Sequence, residues 1–144
     1  MQEGKGRAWA PRLLGLYGLG LICAGIFIAD PAAGFPPGTP PDAHTVSWHG
    51  LLHLISGAIG FVGLIASCMV FARRFSSLTH RGWAAFSIVA GVVFLAAFFG
   101  IASGSQQQGA ALTAVILAFT AAVVLSWTWV SSVSAKLMAG VPRN

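Results

Sequence analysis

Charge is what this sequence lacks most: only 8% of its 144 residues are Asp, Glu, Lys or Arg, whereas soluble domains contain about 25%. A soluble fold needs a polar exterior, and a chain that is 56% apolar could not supply one. The composition therefore excludes an ordinary soluble domain and indicates a polytopic membrane protein with the lipid bilayer as its solvent. The eight cations are not clustered on a soluble module, so no nucleic-acid partner is expected.

By count, cysteine is scarcer still. The two cysteines, Cys23 and Cys68, both lie inside apolar stretches, which predicts small apolar fillers and excludes a disulfide framework. Those stretches contain no Asp, Glu, Lys or Arg, so the ionisable side chains that line transport pathways are missing and a pump or secondary transporter is disfavoured. The sequence also has no phosphate-binding loop and no nucleotide-binding fingerprint.

Long apolar runs are present at residues 13–29, 50–72, 83–103 and 110–133. Each is long enough to cross a bilayer as a helix, although the first, with 17 residues, is at the short end of the range. Basic residues precede this first run as in a secretory signal, but the run is long for a signal core and no Ala-x-Ala site follows it. We therefore predict an all-α, four-helix polytopic transmembrane bundle that retains its first helix.

The distribution of positive charge predicts how the helices are threaded. Every Lys and Arg lies in residues 1–12, in the connector Arg73–Arg81 or in residues 134–144. Because cytoplasmic segments of membrane proteins carry an excess of Lys and Arg, we expect a plasma-membrane protein with both termini cytoplasmic. The transmembrane domain is then residues 13–133, with residues 30–47 on the outer side.

Tryptophans near the ends of the runs agree with this threading, because tryptophan is enriched at both membrane interfaces. Trp48 would mark the outer interface, and Trp9 and Trp83 the inner one. Trp127 and Trp129 approach the inner end of the fourth run.

Small residues recur at helical spacing on the second and third runs. Lipid supplies no hydrophobic driving force between helices, so close backbone approach at small residues is what holds a bundle together. We predict helix packing along these positions, within the chain or between copies in a homo-oligomer. The positions are Gly60, Gly63 and Ser67 on the second run, and Gly91 and Gly100 on the third.

The connector between the first two runs, residues 30–47, holds most of the polar features. It contains five of the seven prolines, which fix φ and limit disorder, while Gly34 and Gly38 permit turns. A loop of this length in a compact bundle is usually functional or disordered. We expect a proline-rich extracytoplasmic loop that folds back over the helix ends as a cap.

Three of the four histidines lie at the end of this loop or just after it. His49 and His53 are four residues apart and share a helical face, with Asp42 and His44 shortly before them. His53 lies below the interface, where an ionisable side chain suggests function. The positive end of the helix dipole favours neutral imidazoles, and two of these one turn apart suit zinc, with His44 or Asp42 as a third ligand.

Several interpretations of this cluster remain open. The histidines could anchor the cap through loop carbonyls, bind a proton or ligand, or hold zinc. An HxxxH pair is a weak metal signal because no Glu accompanies it as in HExxH, so no cofactor is expected. A hydrolase set is also conceivable, since Asp30 could orient an imidazole beside Ser47 or Ser56. Ser47 is alternatively an N-cap, with Trp48 as the first helical residue.

Four segments of the chain carry a further signal: ADPAAGFPPGTP at Ala29–Pro40, SWHGLLHLISGAIGF at Ser47–Phe61, FARRF at Phe71–Phe75 and RGWAAFS at Arg81–Ser87. They resemble the bacterial integral-membrane family catalogued as domain of unknown function 998. The resemblance implies a multi-pass protein, most often with six helices, of which this chain matches the last four and lacks the opening hairpin. It implies no particular reaction, but it supports treating Asp30, Ser47, His49 and His53 as one motif.

Taken together, these features predict a non-enzymatic plasma-membrane protein: a subunit of a membrane complex, a scaffold, or a lipid- or ligand-binding component. The alternative is a membrane-embedded hydrolase or metal-binding protein that uses the outer His and Asp side chains. The expected partners are the bilayer and either further copies of the chain or other membrane subunits.

Overall fold

The computed structural model describes residues 3–32, 34–40, 43, 45–103 and 109–140. Most of them belong to four helices: α1 (Glu3–Ile26), α2 (Trp48–Ser77), α3 (Arg81–Ser103) and α4 (Gly109–Ala139). Within the described residues, the only strand-like pairing is an isolated bridge between Ala32 and Phe35. The predicted all-α class with four helices is confirmed.

Each helix contains a stretch that is long and apolar enough to cross a membrane. In α1 this stretch is Ala8–Ile26, and in the other three it is the whole helix. The chain is therefore a multi-pass membrane protein. Helices α2 and α4 extend beyond the apolar runs. An apolar run marks only the part of a helix that lies in the bilayer interior, whereas the helix itself can continue through the interface.

The end of α1 differs from the prediction, since the helix stops at Ile26 instead of residue 29. The amide of Phe27 still donates to the carbonyl of Cys23, at 3.0 Å. Beyond that point the carbonyls of the last turn accept from the His53 side chain instead of from the next turn of helix. At its other end α1 begins at Glu3 and includes Pro11, so part of the predicted terminal segment is helical.

The chain folds as two compact units, Met1–Val70 and Phe71–Asn144. In the first unit, α1 and α2 approach backbone to backbone at glycines. A Cβ on Gly20 would lie 2.7 Å from the Cα of Gly60 and 2.7 Å from the carbonyl oxygen of Ser56. A Cβ on Gly63 would lie 2.9 Å from the carbonyl oxygen of Leu13. Gly60 and Gly63 therefore contact α1 of the same chain, and no side chain separates the two helices there.

The remaining small residues, Ser67, Gly91 and Gly100, differ in their surroundings. Ser67 is fully buried, and its hydroxyl donates to the carbonyl of Leu64 at 2.7 Å. Gly91 is buried on α3. A Cβ on Gly100 would meet no described atom within 4 Å, so this glycine lies at no close helix contact in the part of the chain that the structure describes. Spacing identifies positions that permit close approach, but not the face that is turned to a neighbour.

The second unit is built around Trp129, whose side chain is fully buried. Its indole Nε1 donates to the hydroxyl of Ser87 at 2.9 Å, and that hydroxyl donates to the carbonyl of Trp83 at 2.8 Å. The Phe71 ring lies edge-on to the indole, with 5.6 Å between centroids. Trp129 is therefore a core residue that joins α4 to α3. Trp127, by contrast, is 54% exposed, as expected of an interfacial tryptophan.

The turn between α2 and α3 is a Schellman motif, a hydrogen-bonded cap at a helix C-terminus. The amide of His80 donates to the carbonyl of Phe75 at 2.8 Å, and the amide of Thr79 donates to the carbonyl of Ser76 at 3.0 Å. Thr79 has a φ of 61°, the left-handed conformation that glycine usually supplies. The His80 ring packs edge-on against Phe75, and the His80 carbonyl accepts from Ala84 in the first turn of α3. The turn therefore holds the two helix ends in a defined geometry.

Candidate functional site

The loop between α1 and α2 is a series of tight turns in its described part. Ala32 and Phe35 exchange two backbone hydrogen bonds of 3.0 and 2.9 Å, and the amide of Thr39 donates to the carbonyl of Pro36 at 3.0 Å. Gly34 and Gly38 have φ values of 78° and 98°, which accounts for glycine at these turns. The Phe35 side chain is 74% exposed.

Asp30, just after α1, holds the start of α2. Its Oδ2 accepts a hydrogen bond of 2.7 Å from the amide of Ser47. The hydroxyl of Ser47 accepts in turn from the amide of Gly50 at 3.1 Å, and its carbonyl accepts from the amide of Leu51 at 2.9 Å. Ser47 is thus the N-cap of α2, with Trp48 as the first helical residue, as predicted. Asp30 links this cap to the end of the preceding helix.

Glycine at position 50 allows the Asp30 carboxylate to lie over the first turn of α2. Gly50 is buried, and a Cβ there would overlap the carboxylate. Hydrogen bonds from the side chain and backbone of Ser47 lower the pKa of Asp30 below its ordinary value of 3.8, and the charge of His49 adds to this effect. The carboxylate is therefore held in its ionised form at the positive end of the α2 dipole.

This arrangement predicts how stability depends on pH. A lowered pKa in the folded state means that Asp30 contributes stability fully above pH 3.8, and the contribution is lost as pH falls through the lower folded value. We expect the thermal midpoint of the wild type to fall in this acidic window more steeply than that of Asp30→Asn. The measurement is thermal unfolding in detergent across the acidic range. Parallel curves for the two proteins would contradict the cap.

His53 makes the reverse connection, from α2 to the end of α1. Its Nδ1 lies 2.8 Å from the carbonyl oxygen of Ala24 and 3.0 Å from that of Phe27. Carbonyl oxygens only accept hydrogen bonds, so Nδ1 carries a proton and donates to both. Carbonyls in the last turn of a helix have no partner within the helix. His53 therefore supplies the missing donor for α1.

The other predicted site residues are not gathered into one centre. His49 is exposed, and its ring lies against that of Trp48 with 3.4 Å between centroids. Asp42 and His44 lie outside the described residues. Ser56 follows His53 by about one turn, and its carbonyl lies at the contact with Gly20. Among the described residues, the structure shows no hydrogen bond from His53 to a carboxylate or hydroxyl.

The described residues include no group of three or more His, Cys, Asp or Glu side chains that could hold a metal ion. The third zinc ligands that the sequence suggested, Asp42 and His44, lie outside the described part of the chain. What the described side chains form is a pair of reciprocal caps. Asp30 satisfies an amide before α2, and His53 satisfies two carbonyls at the end of α1.

Three partners in these caps were not identified from sequence. The carbonyls of Ala24 and Phe27 carry no residue-type signal, since every residue has a carbonyl. Gly50 did carry such a signal, because a glycine lowers the stability of a helix. Its presence in the first turn needs a reason such as the close approach of a carboxylate.

Comparisons with known proteins place the chain in a family. No curated protein and no solved structure matches it. The family described as "Protein of unknown function (DUF998)" matches residues 1–136, which includes all of the first three helices and most of α4. The family suggested by the loop and helix motifs is thus confirmed, and the chain belongs to the DUF998 family.

Proposed function

We propose that this protein is a non-enzymatic component of the plasma membrane, a subunit or scaffold that presents its proline-rich loop outside the cell. The observation that carries the proposal is the pair of reciprocal caps between α1 and α2. Asp30 and His53 each cross from one helix to the other, over 17 residues for Asp30 and up to 29 for His53. Together they fasten both ends of the loop to the helix pair.

The same hydrogen bonds argue against the hydrolase alternative. A general base must be within hydrogen-bond reach of the proton that it removes. Nδ1 of His53 donates to two carbonyls and not to Asp30, whose carboxylate accepts from the amide of Ser47, so Nε2 is the only ring nitrogen left to act as a base. The hydroxyl of Ser47 serves as the N-cap acceptor for Gly50. No described hydroxyl is hydrogen-bonded to the His53 ring, so among the described residues these three side chains join helices and do not form a nucleophile–base pair.

The orientation of the protein follows from its charge. All eight Lys and Arg residues lie in the terminal segments and in the α2–α3 connector, and the proline-rich loop has none. The positive-inside rule then assigns both termini and the α2–α3 connector to the cytoplasm. The loop and its caps lie on the outer side.

Assembly with another copy or with a membrane subunit is part of the proposal. Only 17% of the membrane stretch of α1 and 11% of that of α4 are buried within the chain. These helices leave apolar surface for lipid or a partner, whereas Gly60 and Gly63 are already used inside the chain. Light scattering in mild detergent tests this part. A strictly monomeric protein without any companion would contradict it.

Substitution of His53 tests the anchoring role. A Gln amide can still donate to a carbonyl, so we expect His53→Gln to keep most of the stability. His53→Leu removes the donor and should cost about 1–2 kcal/mol. The measurement is thermal unfolding of both variants in detergent.

A fluorophosphonate probe and zinc analysis on the same proteins test the alternative. We expect neither labelling of Ser47 or Ser56 nor bound zinc in the wild type. Labelling or stoichiometric zinc that disappears in His53→Gln, while the fold is intact, would contradict the anchoring role and favour an enzyme.

A further inference from the structure

The second unit carries all of the excess positive charge of the chain. Residues 1–70 contain three Lys or Arg and three Asp or Glu, whereas residues 71–144 contain five Lys or Arg and no Asp or Glu. Within this unit, therefore, no acidic side chain is present to neutralise them. The cations that the structure describes in the unit are Arg73, Arg74, Arg81 and Lys136.

These cations lie near three helix ends: the end of α2, the start of α3 and the end of α4. The ammonium group of Lys136 lies 5.1 Å from the centre of the Trp83 ring. The Trp83 ring lies 5.8 Å from that of Phe75, which directly follows Arg74. Arg81 precedes Trp83 by two residues, just after the Schellman turn. Three helix ends that carry cations thus meet at one tryptophan, with the Lys136 ammonium group in contact with its ring.

Helix dipoles explain some of these positions, but not all. Arg74 and Lys136 lie in the last turns of α2 and α4, where the dipole favours a cation. Arg81 begins α3, where the dipole disfavours one, and the first turn of α3 contains no acidic residue. A bound anion would offset this repulsion. At the surface of a membrane, the phosphate group of a lipid is such an anion.

We propose that this end of the second unit binds the phosphate group of an anionic membrane lipid. Arg81 and Lys136 are the phosphate ligands, because charge-assisted hydrogen bonds from Arg and Lys to phosphate are strong. Trp83 lies at headgroup level, as tryptophans at membrane interfaces do, and packs against the rest of the lipid. The site uses no residue of the loop or its caps, so it stands independently of the proposed function.

Native mass spectrometry of the full chain tests the site, with phosphatidylglycerol as the probe lipid and phosphatidylcholine as the zwitterionic reference. We expect the wild type to retain phosphatidylglycerol preferentially. Arg81→Gln and Lys136→Gln should each weaken retention by about tenfold or more, the effect of losing a charge-assisted hydrogen bond. Arg12→Gln is the matched control, because Arg12 also lies over a tryptophan, Trp9, at 5.8 Å, but belongs to the first unit, whose terminal segment also contains Glu3.

Each remaining outcome decides the proposal. Equal weakening in all three variants would show a general surface potential, and weakening in none would show that these side chains do not hold the lipid; either result would overturn the site. Displacement of the lipid by millimolar inorganic phosphate would assign the site to a soluble phosphate and overturn the lipid. Thermal unfolding in zwitterionic detergent shows whether each variant is folded. If Lys136→Gln does not fold well enough to be measured, Lys136→Arg is measured instead. Because this variant keeps the charge, it should retain phosphatidylglycerol as the wild type does.

Discussion

Gly20→Ala is expected to destabilise the protein by about 1–3 kcal/mol, the cost of overfilling a packed contact. The new methyl group would lie 2.7 Å from backbone atoms of Gly60 and Ser56. Backbone atoms cannot rotate away as the end of a side chain can, so α1 and α2 must separate. Separation would also strain the hydrogen bonds of Asp30 and His53, because both cross between these helices.

Gly18→Ala is the matched control, two residues away on the same helix. A Cβ on Gly18 would meet no described atom within 4 Å, and alanine favours helix over glycine by about 0.5–1 kcal/mol. We therefore expect Gly18→Ala to raise the thermal midpoint slightly while Gly20→Ala lowers it. Equal effects of the two changes would show that α1 and α2 do not pack at Gly20.

Trp129→Ala is expected to have the largest effect in the second unit, a loss of about 3–5 kcal/mol. The indole is fully buried, so its removal leaves a cavity against Phe71. It also removes the hydrogen bond to Ser87 that joins α4 to α3. Trp127→Ala, at a position that is 54% exposed, should cost much less. A similar loss for both tryptophans would contradict a core role for Trp129.

A double-mutant cycle separates the contribution of the Trp129–Ser87 hydrogen bond from the rest of the stability that Trp129→Ala removes. Ser87→Ala leaves the buried indole Nε1 without its acceptor, which costs about 1–3 kcal/mol. In a Trp129→Phe background the indole is absent, so the same Ser87 change should cost less. Additive losses in thermal or denaturant unfolding would mean that the two side chains do not interact.

The four helices could be predicted from sequence because a helix that crosses a bilayer needs a long uncharged run. The chain has four such runs, and its other segments do not resemble them. The small-residue pattern identified Gly60 and Gly63 on α2, but not their partner. Helix α1 has several glycines at irregular spacing, and the structure shows that Gly20 meets α2 whereas Gly18 does not. Which of them faces α2 depends on how α1 is rotated, and spacing alone does not determine that rotation.

The contacts at the two ends of the α1–α2 loop were likewise only partly predictable from sequence. The N-cap at Ser47 was predictable because it joins a side chain to an amide three residues away. For His53 the sequence offered anchoring to loop carbonyls as one interpretation, whereas the carbonyls that it contacts belong to the last turn of α1 and to the residue after it. The sequence could not select the carbonyls of Ala24 and Phe27, because they are brought to His53 only when α1 and α2 pack.

The most direct test of the central claim, that His53 anchors α1, is the position of its ring proton. Selective nitrogen labelling of histidine, with the protein in lipid nanodiscs at mildly alkaline pH, distinguishes a protonated from an unprotonated ring nitrogen. We predict a proton on Nδ1 of His53, none on Nε2, and no change when zinc is added. A proton on Nε2, or a shift of either nitrogen with zinc, would contradict the account.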